Sequence, residues 1–346
     1  MSENYYKEIN KDRTIRLREI FNELPPFARD FFRSIETTTS PLTRLNYSYD
    51  LRLFFSYLSA ENVKINGKEP TEIDIDDIKK LDLTDLEIYV EYFGLYFKDD
   101  KEIENSSRGK ARKIASLRSF FKYYYKKGML EKNVCALIDM PKIHEKTITR
   151  LEPNEIADLL DLIEQGEGLT DTQKRYHKKT KNRDLALITF MLSTGIRVSE
   201  LVGLNIGDID FTNASFKVTR KGGNMAILYF GQEAEKALAQ YLDERKSQKT
   251  YSIDEPLFLN LQKERLGVRS VQNLVKKYAK LASPLKNISP HKLRSTFGTA
   301  LYQETGDIYL VADVLGHKDV NTTRKHYAQI VDDRRKKVKN AVKLRD

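Results

Sequence analysis

LSTGIRVSEL occupies residues 192–201, and its reading decides the fold. The apolar run DLALITFMLST (184–194) has the composition of a buried helix, and Gly195 stops it. Arg197 follows almost at once, ahead of a second apolar stretch. A guanidinium is almost never fully buried unless it is paired. Either a carboxylate of the fold neutralises it, with Glu200 and Asp208 nearest in sequence, or it waits for a negative ligand. The stretch alone leaves both open, so the rest of the chain has to discriminate.

Working outward, the 346 residues suffice for about two domains. A chain 40% apolar and 32% charged reads as folded and globular rather than disordered. No apolar run approaches the ~18 residues of a membrane span. The opening MSENYYKEINKD lacks an export signal, so a cytoplasmic location is expected. A single cysteine, Cys135, excludes an intrachain disulfide. Sixty basic residues against fifty acidic leave a charge of +10, in the range of nucleic-acid binders. The excess is local. Residues 324–346 hold nine Lys or Arg against three Asp, and RYHKKTKNR (175–183) has no acid at all. Taken singly, either run reads equally well as a solvated surface.

Residues 1–140 read as an all-helical domain. Ser40 and Pro41 are a helix start, and Leu51, Phe54, Phe55 and Leu58 follow as an apolar stripe. LTDLEIYVEYFGLYF predicts a helix over 83–97. GKARKIASLRSFFKYYYKKGML (109–130) predicts another, with Ile114, Leu117, Phe121 and Tyr124 on its core face and Gly128 at its end. Arg112, Ser116 and Ser119 lie on a different face, with Lys113 and Lys122 nearby. The segment 141–153, bounded by prolines and poor in large apolar residues, reads as a linker. A second domain, 154–346, then begins. Its one clear β region is 208–230, where Phe216 and Val218 alternate on one strand and Ala226, Leu228 and Phe230 on the next. Lys221, Gly222 and Gly223 sit at the tight connection. Helices are predicted over 232–247, 268–282, 290–304, 307–315 and 322–330.

In SPHKLRSTFGTALYQ (289–303), Ser289 and Pro290 open a helix on which His291 and Arg294 share a face. Such a pair near a helix N-terminus can grip a phosphate, though alone it reads more readily as a surface pair with solvent partners. VADVLGHKDVNTTRKHYAQI (311–330) ends a helix at Gly316, presents His317 just beyond, and leads through Asn321, a predicted cap, to Tyr327. A lone tyrosine or a lone histidine after glycine is individually unremarked packing or turn chemistry.

Together, Arg197, Lys221, His291, Arg294, His317 and Tyr327 stand in the order and approximate spacing of the tyrosine site-specific recombinases. The chain resembles their bacterial Xer-type and phage-type integrase branches. The strings that carry the resemblance are TGIRVSELVGLNIGDID, VTRKGGNMAILYFG, LFLNLQKERLGVRSVQNLVKKYA, SPHKLRSTFGTALYQ and VLGHKDVNTTRKHYA, over about 184–328. TRLNYSYDLRLFFSYL and ARKIASLRSFFKYYYKKGMLEKNV are similar to the family's helical core-binding region.

The resemblance implies a mainly α chain: a SAM-like helical core-binding domain, then an α+β catalytic domain with a small antiparallel β-sheet. It implies DNA cleavage through a 3′-phosphotyrosyl link and strand exchange through a Holliday junction, needing neither metal nor other cofactor. Tyr327 matches the nucleophile, Arg197 and Arg294 the phosphate-clamping arginines, and His317 a further donor to the same phosphate. Lys221 matches the general acid at the leaving oxygen, and His291 a residue handling the proton of the nucleophile. Glu200 is a supporting candidate that orients Arg197 or, equally, faces solvent. The implied partners are a double-stranded recombination site and a homotetramer on two DNA sites, with no membrane and no small-molecule substrate. Arg44, Arg112, Lys113, Arg118 and Lys122 are candidates for DNA contact, and 329–346 for packing on a neighbouring subunit. One departure stands out: Xer-type chains most often place the tyrosine nine residues after the LGH histidine, a slot held here by His326. Two other readings use the same fold, a non-catalytic DNA-binding accessory protein and a type IB-like relaxing enzyme.

Overall fold

Helices, several of them opened by a side-chain cap, build the first half of the chain. The structure, a computed structural model, describes residues 2–98, 100–143, 149–220, 223–248, 252–317, 319–321 and 323. The chain divides into two units, Tyr6–Lys146 and Thr147–Asp346, the latter with Met1–Tyr5. The first half runs α1 (Ser2–Ile20), α2 (Ala28–Ser34), α3 (Pro41–Ala60), α4 (Ile75–Lys79), α5 (Leu83–Tyr92), strands β1 (Leu95–Lys98) and β2 (Lys101–Glu104), and α6 (Ser107–Lys126). Ser40 caps α3 by accepting the Thr43 N–H at 3.2 Å, as the Ser-Pro pair predicts. The stripes of α3 and α6 meet in an aromatic core. Phe55 packs edge-on to Phe120 at 5.8 Å, and Phe54 to Tyr89 at 5.0 Å. Cys135 lies in the same core, where burial pushes its thiol up to about 12.

The β1–β2 ribbon corrects the all-helical expectation. The apolar periodicity of 83–97 continues through Tyr92, but the Gly94 N–H then returns to the Glu91 carbonyl at 2.9 Å, a tight turn with no room for a Cβ. The helix stops there. LYFK and KEIE then pair antiparallel, Tyr96 opposite Ile103, with Asp100 in the left-handed region of the turn (φ 58°).

The second unit comprises α7 (Pro153–Gln165), α8 (Asp171–Thr194), α9 (Val198–Gly203), β3 (Ile209–Asp210), β4 (Ser215–Thr219), β5 (Met225–Tyr229), α10 (Gln232–Gln248), α11 (Val268–Ala282), α12 (Pro290–Thr305) and α13 (Ile308–Leu315). Every residue from Asp184 to Met191 is buried, so the second half of α8 is the axis of the core. Its basic first half is partly structural. His177 is buried with Nε2 2.7 Å from the Ile163 carbonyl, and Arg183 Nη2 lies 2.6 Å from the buried Asp184 carboxylate. Antiparallel strands in the order β3-β4-β5 turn Phe216, Val218 and Leu228 inward. The chain enters this core before the expected end of the linker: Leu151 is buried and its N–H donates to Thr296 Oγ1 at 3.0 Å.

Candidate active site

Two helix ends make the site. Gly195 closes α8 in the left-handed conformation (φ 60°), its N–H returning to the Met191 carbonyl at 3.0 Å. A Cβ at Gly195 would collide with the Phe297 ring and stand 3.0 Å from Leu315 Cδ2. Glycine therefore serves twice here: it turns the chain, and it lets the corner of α8 close on α12 and α13. Gly316 ends α13 in the same way (φ 60°), with the His317 N–H returning to Ala312 O at 2.9 Å.

Arg197 leaves the first corner at the start of α9. Its own N–H donates to Glu200 Oε2 at 3.1 Å, and its Nη1 to Glu200 Oε1 at 2.7 Å. Glu200 is 4% exposed, so the carboxylate that holds Arg197 is this one. Of the two readings left open for Glu200, the structure selects the inward one. Asp208 is occupied elsewhere, accepting the Asn205 N–H at 2.9 Å. The other terminal nitrogen of Arg197 reaches across to the Gly316 carbonyl at 2.8 Å. Its side chain nonetheless keeps 31% of its surface exposed.

Arg294 comes from the second turn of α12 and is 5% exposed. Its Nη1 donates to Gly195 O at 2.6 Å and its Nη2 to Leu315 O, so one planar fork joins both helix ends. A third guanidinium completes the pattern. Arg220, at the end of β4, donates from Nη1 to Asp313 O at 3.0 Å and from Nη2 to Val314 O at 2.8 Å. Four successive carbonyls, 313–316, thus each receive an arginine N–H. The last carbonyls of a helix lack intrahelical donors and carry the negative end of its dipole, which favours cations there. The same geometry gathers three guanidiniums on one turn.

His317 follows that turn directly, its Nδ1 2.7 Å from the hydroxyl of the buried Thr323. Asp319, not Asn321, caps the next helix: Val320 and Asn321 are already helical, and Asp319 Oδ1 accepts the Asn321 N–H at 2.9 Å. His291 is exposed one turn before Arg294 on α12. Arg197, Glu200, Arg294 and His317 are therefore brought together, with His291 on the same helix as Arg294. Lys221, His326, Tyr327 and the 329–346 segment lie outside the described residues. Sequence reasoning missed Arg220 and Thr323. Arg220 was visible only as the neighbour of Lys221 in VTRKGG, and nothing in one sequence pairs Thr323 with His317.

The candidate DNA contacts of the first unit are more deeply engaged than expected. Arg44 is buried, donating to the Glu36 carbonyl at 3.0 Å and lying 3.2 Å from Glu36 Oε1. Arg112 pairs with the buried Asp50, and Lys113, itself buried, lies 3.5 Å from the same carboxylate. Burial raises the Asp50 carboxyl against the pull of both cations, and burial lowers the Lys113 ammonium. Ser116, read as lying on a different face from the core stripe, is fully buried. Arg118 donates to Ala136 O at 3.3 Å and to Ile138 O. Lys122 is exposed, on the rim of an open depression of about 420 Å³ lined also by Arg118, Ser119 and Asn133.

Comparison with known proteins bears on the same residues. The model described as "Phage integrase family" matches residues 149–334. A tyrosine recombinase XerC of Caldanaerobacter subterraneus subsp. tengcongensis is 34% identical over 311 residues, covering 87% of this chain and 82% of the relative. The XerC of Syntrophus aciditrophicus is 32% identical, covering 88% and 92%. Among solved structures, the XerH recombinase in a post-cleavage complex with a palindromic difH substrate superimposes with a TM-score of 0.63 at 23% identity, over 85% of this chain and 79% of that one. That similarity shows a common fold.

Proposed function

The chain belongs to the phage integrase family and is a tyrosine recombinase, and from that premise we propose that it cuts and rejoins duplex DNA through a covalent bond to Tyr327. The observation that carries this reading is the meeting of Arg197 and Arg294 on consecutive carbonyls, with His317 next in the chain. Guanidiniums gathered there suit two non-bridging oxygens of one phosphate, since each presents a rigid fork that stays charged.

In the proposed step the Tyr327 oxygen attacks phosphorus and its proton leaves by way of His291. The bond from phosphorus to the 5′-oxygen breaks, and that oxygen takes a proton from Lys221. Arg197, Arg294 and His317 hold the charge that builds on the phosphate. Glu200 fixes the plane of Arg197 by bonding both its backbone and its side chain. The 5′-hydroxyl of a partner duplex then attacks the phosphotyrosyl bond, re-forms the diester and returns the phenol. Bond energy is conserved throughout. Exchange between two sites calls for a homotetramer, the assembly proposed here.

The DNA site is found by selecting a random duplex library on the Tyr327→Phe variant. On the selected duplex, nicked near the cut so that the short product diffuses away, the wild-type chain forms an SDS-resistant adduct. Tyr327→Phe binds with unchanged affinity and forms none. An adduct that survives in Tyr327→Phe but vanishes in His326→Phe moves the nucleophile to His326. No adduct in any form supports the accessory-protein reading, and relaxation of plasmids lacking the site supports the type IB-like one.

A further inference from the structure

Arg220 was not among the residues expected to act, yet it makes two of the bonds that define the site. Its backbone closes the turn end of the β4–β5 hairpin: the Arg220 N–H donates to Asn224 O at 2.8 Å, and Arg220 O accepts the Gly223 N–H at 3.0 Å. Its side chain leaves the hairpin and takes the Asp313 and Val314 carbonyls of α13 at 3.0 and 2.8 Å. Gly316 lies flat against the guanidinium, since a Cβ there would stand 2.7 Å from Arg220 Cζ. The residue after Arg220 in the chain is Lys221, and the residue after Gly316 is His317. One side chain therefore ties the turn end of the hairpin to the turn that presents the histidine.

We infer that Arg220 is a positioning residue that locks the lysine-bearing hairpin to the last turn of α13, so that proton donor and phosphate clamp keep one register. The inference rests on the reading of Lys221 as proton donor. Its physical basis is geometric. A hairpin alone fixes its tip only through the ladder behind it. Two charge-assisted bonds to consecutive carbonyls add a second anchor, which a single-point donor cannot reproduce. The same two bonds bias α13 in return, because coupling between two elements is reciprocal.

Two measurements on the full chain test it. Hydrogen–deuterium exchange reads the tie itself. Arg220→Ala is expected to quicken exchange on the order of 10-fold at both Gly223–Met225 and Gly316–His317, with Arg220→Lys between it and wild type. Unchanged exchange at either place overturns the tie. Single-turnover cleavage of the selected duplex reads the consequence. Arg220→Ala is expected to cut the ordinary diester about 10²-fold more slowly, the scale of a small misplacement of a reacting group. Replacing the scissile 5′-oxygen by sulfur gives a leaving group that needs no proton. Arg220→Ala is expected to recover on that substrate to within about 10-fold of wild type. Equal slowing on oxygen and sulfur overturns the inference, because the residue then acts on something other than proton delivery. Lys221→Ala on the same two substrates separates the premise. If sulfur fails to restore that variant, the lysine is not the donor, while the exchange result still decides whether Arg220 holds the hairpin.

Discussion

Replacing Arg294 by lysine keeps the charge and removes the fork, and the structure sets how much that costs. The side chain is 5% exposed, and its two terminal nitrogens serve carbonyls on different elements, Gly195 at the end of α8 and Leu315 at the end of α13. One ammonium cannot span both. The variant loses a charge-assisted hydrogen bond and strands a buried carbonyl, together about 3 kcal/mol. In a unit of this size each kcal/mol lowers Tm by roughly 2–4 °C, so the transition of Thr147–Asp346 is expected to fall by roughly 6–12 °C. Arg197→Lys is the internal comparison. That side chain keeps 31% exposure and can keep Glu200, so about 1 kcal/mol is expected. Calorimetry on the full chain separates the two cases, with cleavage measured alongside. Both variants lose cleavage, and only Arg294→Lys loses much stability. A Tm for Arg294→Lys within about 2 °C of wild type, or a larger fall for Arg197→Lys, refutes the bridging role.

Glu200→Gln keeps the shape and removes the charge that sets the Arg197 plane. Cleavage should slow about 10-fold with DNA affinity unchanged, and an unaltered rate contradicts the orienting role. Thr323→Val deletes the hydroxyl against His317 Nδ1 without changing volume much, and single-turnover cleavage should fall about 10-fold while Thr323→Ser stays near wild type. Burial opposes the charge on Asp77, but Lys68, Lys80 and the Asp74 N–H win and hold its carboxyl at about 2, against 3.8 when unpaired. The folded value lies below the unfolded one, so the stability it lends is present above about pH 4 and is lost as pH falls toward 2. Asp77→Asn should remove that acid limb and cost the first unit about 1–2 kcal/mol at pH 7, since both lysines are solvent-screened; an unchanged acid limb in urea melts contradicts the pairing.

Much of this site was legible because its residues sit at punctuation. Gly195 and Gly316 mark helix ends that glycine commonly marks, and the arginine and histidine beside them stand out against apolar surroundings. Periodicity likewise exposed the α3 and α6 core faces, where 3.6-residue spacing had no competitor. It failed at Leu95–Phe97, where a few apolar residues fit either period and pairing with Glu102–Glu104 decided for a strand. It failed again at Arg44, Lys113 and Ser116. A polar residue looks solvent-facing in sequence, whereas Lys113 is drawn inward by the buried Asp50, distant along the chain, Arg44 by the Glu36 carbonyl, and Ser116 is buried with no hydrogen bond from its hydroxyl. Arg220 belongs to the same class. Its partners are more than ninety positions away and are backbone atoms, which carry no sequence signal.

In the proposed step Arg197 and Arg294 act together on the charge of a single phosphate. Making the scissile phosphate a neutral methylphosphonate tests this most directly, because it removes one of the charges that the arginines hold. Arg197→Ala is expected to form no detectable adduct on the natural diester and to form one on the methylphosphonate within about 10-fold of the wild-type rate. Equal failure of Arg197→Ala on both substrates, with its DNA binding intact, would contradict the account.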